Sequence, residues 1–69
     1  MIKMFAVEFE LLGKRKAYGF DLVEDKNSIY VLRHDKNGNF RPFEISKSQV
    51  ISIIKINELG EEDVTEIKQ

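Results

Sequence analysis

Apolar and polar side chains alternate strictly near the start of this 69-residue chain. Over residues 5–11, one parity is wholly apolar and the other includes two glutamates: Phe5, Val7, Phe9 and Leu11 against Ala6, Glu8 and Glu10. Because successive side chains of a strand point to opposite faces, this pattern predicts a half-buried β-strand. The alternation resumes at residues 18–22 with Gly19 inside it, and a glycine within a strand indicates a bulge or a sharp bend.

The next segments predict a β-hairpin. Residues 29–34 are rich in β-branched and aromatic side chains, and the Asn37-Gly38 dipeptide that follows is the preferred pair for a two-residue type I′ turn. We therefore expect residues 29–34 to pair antiparallel with residues 40–45. Pro42 has no N–H, so the second of these strands should lie at a sheet edge or carry a bulge.

A helical turn and a last strand are predicted to follow. Ser46 and Gln49 have the spacing of a capping box, and residues 50–56 form an apolar run too short for a helix. In strand spacing, hairpin and penultimate turn, residues 17–56 resemble SH3-like and Sm-like barrels. The resemblance implies a small five-stranded antiparallel barrel, but the chain has no Trp and no Sm signature, so no functional residue is carried over. The predicted fold class is all-β.

The charge is divided unequally along the chain. Charged residues make up 33% of it, with a net charge of −1. Residues 1–56 contain ten Lys and Arg against seven Asp and Glu, whereas residues 57–69 contain one Lys against five acids. We predict a barrel over residues 1–56 and an acidic tail over residues 57–69. The tail is either a short helix after Gly60 or a frayed terminus.

Several classes of function are disfavoured by the composition. Without cysteine there are no disulfides or thiolate zinc sites, and no serine lies in a G-x-S-x-G motif that could use His34, the single histidine. Glycine-rich phosphate loops are absent from the sequence. We therefore expect no enzymatic activity, no cofactor and no metal. Residues 1–12 are too short and too charged for a membrane span or a signal peptide, which predicts a cytoplasmic protein without membrane contact.

Basic residues near aromatic ones suggest a binding function. Lys14, Arg15 and Lys16 are expected in the first loop, and Arg33, His34 and Arg41 lie around the hairpin close to Phe40. Small barrels bind nucleic acids with a basic path and aromatic stacking platforms. The sequence thus predicts contact with a nucleic acid or nucleotide through these six residues, although a basic turn is also typical of an ordinary solvated surface and His34 of a plain strand end.

Two other functions are compatible with the same sequence. An inhibitor of the kind phages and mobile elements encode would dock on a larger protein partner by a sheet edge or by the acidic tail. An oligomer could instead hold a charged small molecule between its subunits. A homo-oligomer is expected in any case, because so short a chain without disulfides has only a modest core.

The parity of residues 29–34 decides which aromatic side chain faces outward. Tyr30, Leu32 and His34 share one parity, and Ile29, Val31 and Arg33 share the other. Since Arg33 is costly to bury, we expect the set containing Tyr30 to face the core. Tyr30 would then be unavailable for stacking.

Overall fold

The computed structural model describes residues 4–57 and 59–66. These residues form seven β-strands and one short 3₁₀ helix, which confirms the all-β class. In chain order the elements are β1 (Met4–Glu10), β2 (Lys14–Gly19), β3 (Asp21–Glu24), β4 (Ser28–Leu32), β5 (Phe43–Ser46), the 3₁₀ helix (Lys47–Gln49), β6 (Val50–Ile56) and β7 (Glu62–Glu66).

The strands form two antiparallel sheets. One has four strands in the order β2-β1-β6-β7, and the other has three in the order β3-β4-β5. Over the described ranges no hydrogen-bonded strand pair joins the two sheets, so the predicted five-stranded closed barrel is not confirmed. The sheets instead pack face to face around one core, built from Val7, Phe9, Ala17 and Val50 of the first sheet and Ile29, Val31 and Ile45 of the second.

Gly19 is where the chain leaves one sheet for the other. The single bent strand expected over residues 18–22 is divided there between β2 and β3, which belong to different sheets. A Cβ atom on Gly19 would lie 2.4 Å from the carbonyl oxygen of Leu32 and 2.6 Å from a methyl carbon of Val31. Glycine is therefore required by the close approach of the β4 backbone.

The predicted hairpin pairs as expected, but its turn differs. β4 and β5 are antiparallel with Val31 opposite Phe43, and the same register continues to an isolated bridge between His34 and Phe40. β5 is the edge strand that Pro42 indicated. The Gly38 N–H donates to the Asp35 carbonyl (3.0 Å), and within this turn only Gly38 has a positive φ. This is a three-residue loop over residues 36–38, so the two-residue type I′ turn was wrong.

The turn before the last core strand is also present, but without the predicted capping box. Ser46 precedes the 3₁₀ helix, yet its side chain makes no capping hydrogen bond; its hydroxyl lies 3.0 Å from that of Ser48. A β-bulge in the β1–β6 pairing follows, where Glu8 pairs with Ser52 but Phe9 pairs with Val50. Ile51 is the extra residue, and its presence lets both Val50 and Ile53 face the core side.

Residues 62–66 form a strand and neither a helix nor a frayed end. β7 pairs with β6 from Ser52 opposite Glu66 to Ile56 opposite Glu62. The turn between them is closed by Asn57, whose side-chain oxygen accepts the N–H groups of Leu59 and Glu61 at 2.9 and 3.0 Å. The acidic segment therefore completes the four-stranded sheet as an edge strand.

The parity argument for β4 was wrong. Ile29 and Val31 are the buried core residues, whereas Tyr30 lies half-buried on the opposite face of the sheet. Arg33 shares the core parity but lies beyond the end of β4, where its guanidinium carbon is 4.7 Å from the centre of the Phe43 ring. At the rim of the core, the Arg33 guanidinium can lie over an aromatic ring and still contact water. Arg33 can therefore share the core-facing parity of Ile29 and Val31 without being buried.

Candidate nucleic-acid interface

Three aromatic rings meet on the surface beside the β4–β5 hairpin. The Phe20 and His34 rings are stacked, with centroids 5.1 Å apart and planes 15° apart. Phe40 lies 6.0 Å from His34 in an edge-on arrangement and 6.4 Å from Phe20. We call Phe20, His34 and Phe40 the aromatic cluster. Phe20 is 45% and Phe40 54% exposed, so ring faces and edges remain open to a ligand.

The backbone fixes the position of each ring. Phe20 follows Gly19 directly, and its N–H donates to the Leu32 carbonyl at 2.9 Å, which holds the sheet-to-sheet corner against the end of β4. His34 and Phe40 face each other across the hairpin bridge. Directly opposed residues of an antiparallel pair point to the same face, so the cluster lies on one side of the hairpin.

Two arginines lie on the same hairpin as the cluster. The Arg41 N–H donates to the Arg33 carbonyl at 2.8 Å, and Arg33 Nε donates to the Arg41 carbonyl at 3.4 Å. Arg41 Nε also lies 3.4 Å from a carboxylate oxygen of Asp35 in an exposed ion pair. The Arg33 guanidinium is held by the hairpin backbone and over the Phe43 ring, and the Arg41 guanidinium by the Asp35 carboxylate. As direct neighbours of His34 and Phe40 in the chain, both arginines project to the opposite face of the hairpin from those two rings. Lys36 lies exposed at the tip of the loop.

Asp35 organises the loop that carries these groups. One carboxylate oxygen of Asp35 accepts the N–H groups of Asn37 and Asn39, each at 2.9 Å. These bonds favour the ionised carboxylate and hold the pKa of Asp35 below its ordinary value, the Asn39 bond contributing most. The ionised Asp35 carboxylate therefore stabilises the loop through these hydrogen bonds.

The structure divides the six predicted binding residues into two groups. Arg33, His34 and Arg41 come together at the hairpin. Lys14, Arg15 and Lys16 do not lie in a loop; they begin β2, after a turn in which Leu12 and Gly13 both have positive φ. Since a strand rises about 3.3 Å per residue, Lys14 lies roughly 20 Å from Phe20. The first basic group is therefore separate from the aromatic cluster.

Phe20 is the cluster residue that sequence reasoning missed as a site. Its parity with Tyr18 and Leu22 assigned it to a strand face, but the chain changes sheets at this point and the parity does not carry across. The available signal was its position directly after Gly19. Tyr30, by contrast, lies on the outer side of its own sheet with its hydroxyl 3.5 Å from Glu44, whose charge raises the pKa of Tyr30 above its ordinary value.

Two other features are absent from the described part of the chain: a group of three metal-binding side chains and a membrane-spanning helix. Among residues 4–57 and 59–66, no group of three His, Asp or Glu side chains is placed to hold a metal ion. An open hollow beside the β6–β7 turn is lined by Lys55, Asn57, Glu61, Glu62 and Asp63, and its three carboxylates are not placed to hold a metal ion. No helix in the same ranges is long and apolar enough to cross a membrane.

Fold and surface together define a small all-β protein of two packed antiparallel sheets, with an exposed aromatic cluster on a hairpin that also carries two arginines. No protein-family model, no curated protein and no solved structure matches the chain.

Proposed function

We propose that this protein is a non-enzymatic binding protein that holds single-stranded nucleic acid at the aromatic cluster beside the β4–β5 hairpin. The observation that carries the proposal is the aromatic cluster, in which the Phe20 and His34 rings stack at 5.1 Å while Phe20 and Phe40 stay about half exposed. Burial would be the usual fate of such rings in a protein with a small core. Their exposure is explained if a base stacks on them.

The arginines supply the second part of the interaction. A single strand presents one phosphate per nucleotide, and a planar guanidinium can bond a phosphate through two N–H groups. Arg33 and Arg41 are the chain neighbours of His34 and Phe40 and project from the other face of the same hairpin, and Lys36 is at its tip. Stacking for the bases and cations for the backbone are the two elements by which proteins bind single strands without strong sequence preference.

The narrower site differs from the one expected from sequence. Lys14, Arg15 and Lys16 are excluded from it, because they lie at the far end of β2 in the other sheet. These three basic residues therefore serve as controls in testing the location of the site.

Binding is measured by fluorescence anisotropy with a labelled oligothymidylate of about 15 nucleotides, a length near the upper site size of small single-strand-binding domains. Phe40→Leu keeps apolar bulk but removes the ring, and should weaken binding about tenfold, within the range of one lost stacking contact. Tyr18→Leu is the control, because Tyr18 is 51% exposed on the other sheet. It should bind like the wild type.

The charge contribution is tested by salt dependence. Arg41→Gln should reduce the slope of log affinity against log salt by about one, as expected for one lost phosphate contact, while Arg15→Gln should leave the slope unchanged. Absence of binding by the wild type at low salt, or equal effects of the two arginine variants, would show the proposed site to be wrong.

A further inference from the structure

The aromatic cluster opens onto one face of the three-stranded sheet. Tyr30 alternates with the two core residues of β4 and therefore points away from the core, to the side that we call the outer face. His34 has the same parity, and its bridge to Phe40 continues the register in which Tyr30 lies opposite Glu44. At about 3.3 Å per residue, Tyr30 and His34 are roughly 13 Å apart along the chain. A nucleic acid held at the cluster can therefore continue along the outer face to Tyr30.

A carboxylate is held in place beside Tyr30. The hydroxyl of Ser28, a residue only 8% exposed, donates to Glu44 Oε2 at 2.7 Å, and the Tyr30 hydroxyl lies 3.5 Å from the same oxygen. Glu44 is itself exposed, and neither ion pair of the described residues involves it. Ser28 therefore positions a solvent-facing carboxylate next to an aromatic ring.

A carboxylate in this position discriminates among the bases. Both of its oxygens accept hydrogen bonds and neither donates. Guanine presents two neighbouring donors on one edge, N1–H and the N2 amino group, whereas thymine presents one N–H between two carbonyl oxygens. Cytosine and adenine each place a single amino group next to an acceptor nitrogen. Guanine is therefore the base whose edge matches both oxygens of a carboxylate.

We propose that Tyr30 and Glu44 form a guanine position, in which the base stacks on Tyr30 and donates its N1–H and one N2–H to Glu44. This inference rests on the proposed function, because the aromatic cluster holds the same single strand. The negative charge of Glu44 repels phosphate, so the nucleic acid meets this end of the outer face with a base edge and not with its backbone. The cluster then supplies affinity for any base, and the guanine position adds a sequence preference.

Fluorescence anisotropy with three labelled DNA strands of about 15 nucleotides tests the guanine position. The first is oligothymidylate, the second has one central guanine, and the third has hypoxanthine in place of that guanine. The guanine strand should bind the wild type about tenfold more tightly than oligothymidylate, within the range of one bidentate base contact. Hypoxanthine keeps N1–H but lacks the N2 amino group, so it should lose most of that preference.

Glu44→Gln tests the residue assigned to base recognition. It keeps the size of the side chain but replaces one acceptor oxygen by an amide donor, so the preference for the guanine strand should fall from about tenfold to about onefold. Glu62→Gln makes the same change of charge on the four-stranded sheet and should leave the preference unchanged. The preference is a ratio of two affinities, and a change in overall charge alters both affinities alike.

The outcomes distinguish this inference from the proposed function. Equal binding of the guanine strand and oligothymidylate by the wild type, or a preference that survives Glu44→Gln, overturns the guanine position and leaves the aromatic cluster as the binding site. Phe40→Leu should weaken the binding of both strands by the same factor and keep the preference. A wild type that binds none of the strands at low salt overturns both proposals.

Discussion

At the scale of single residues, Gly19 has the most restricted environment of the four glycines. Its missing side chain makes room for the Leu32 carbonyl, which in turn accepts the N–H of Phe20. The corner between the sheets and the position of the first ring of the aromatic cluster therefore depend on the same absent Cβ. The constraint is steric, because the contact is with rigid backbone.

Gly19→Ala should lower the free energy of unfolding by about 2 to 3 kcal/mol, as expected when an atom is forced into a packed site. Gly38→Ala is the comparison, since an added Cβ there meets nothing within 4 Å and only the positive φ of 83° opposes it. That strain costs about 1 kcal/mol. Urea unfolding measures both, and equal losses would contradict the steric account.

Asp35 gives the stability of the hairpin a defined pH dependence. Its pKa is lowered in the folded protein, first by the Asn39 N–H, so the folded state prefers the carboxylate. The stabilisation is complete above the ordinary value of 3.8 and is lost as the pH falls through the lower folded value. Asp35→Asn, which cannot ionise, should be less stable than the wild type at neutral pH and should approach it in strong acid. Urea unfolding at a series of pH values checks this, and parallel curves would refute it.

At the scale of elements, β7 gives the acidic segment a structural role. It covers the hydrogen-bonding edge of β6, and its Val64 lies beside Ile54, which is only 6% exposed. A strand edge left open at this position would present unpaired backbone groups next to apolar side chains.

A variant lacking residues 61–69 should lose about 2 to 4 kcal/mol of stability, since each backbone hydrogen bond contributes about 1 kcal/mol net. The amides of β6 should lose protection from hydrogen exchange, and the variant should aggregate more readily. A variant lacking only residues 67–69 keeps β7 and is the control. Unchanged exchange in β6 after the longer deletion would mean that β7 does not protect the edge.

Local sequence patterns predicted individual elements well where one physical rule applied. The alternation of β1, the hairpin of β4 with β5 and the turn before β6 are all present. The type of hairpin turn was not predictable from Asn37-Gly38 alone, because the Asp35 carboxylate accepts two loop N–H groups and stabilises the longer loop. The strand at residues 62–66 has weak intrinsic β-propensity, and pairing with β6 overrides it.

At the scale of the whole molecule, the division of the strands into two sheets could not be predicted from local sequence patterns. A strand that continues from one sheet into another has the same alternation as a bent strand, so residues 18–22 gave no sign of the break. The bulge at Ile51 also lets core residues lie three apart in β6, which alternation does not predict.

Half of the predicted binding residues came together for a related reason. Arg33, His34 and Arg41 are joined by the hairpin register, which the sequence indicated, whereas the position of Lys14, Arg15 and Lys16 depended on the tertiary arrangement of the sheets. Phe20 joins the site through its contact with His34, fourteen residues further along the chain. Local sequence patterns do not predict a contact between residues so far apart.

The bulge in β6 also limits how related sequences can differ in length. Without Ile51, side chains would alternate regularly between the two faces along the whole of β6. Either Val50 would then face away from the core, or the residues from Ser52 onward would change faces. Exposed loops such as residues 36–38 tolerate gain or loss of a residue far more easily. Natural length variation in this lineage should therefore fall in the loops, with the spacing from Val50 to Ile53 kept constant.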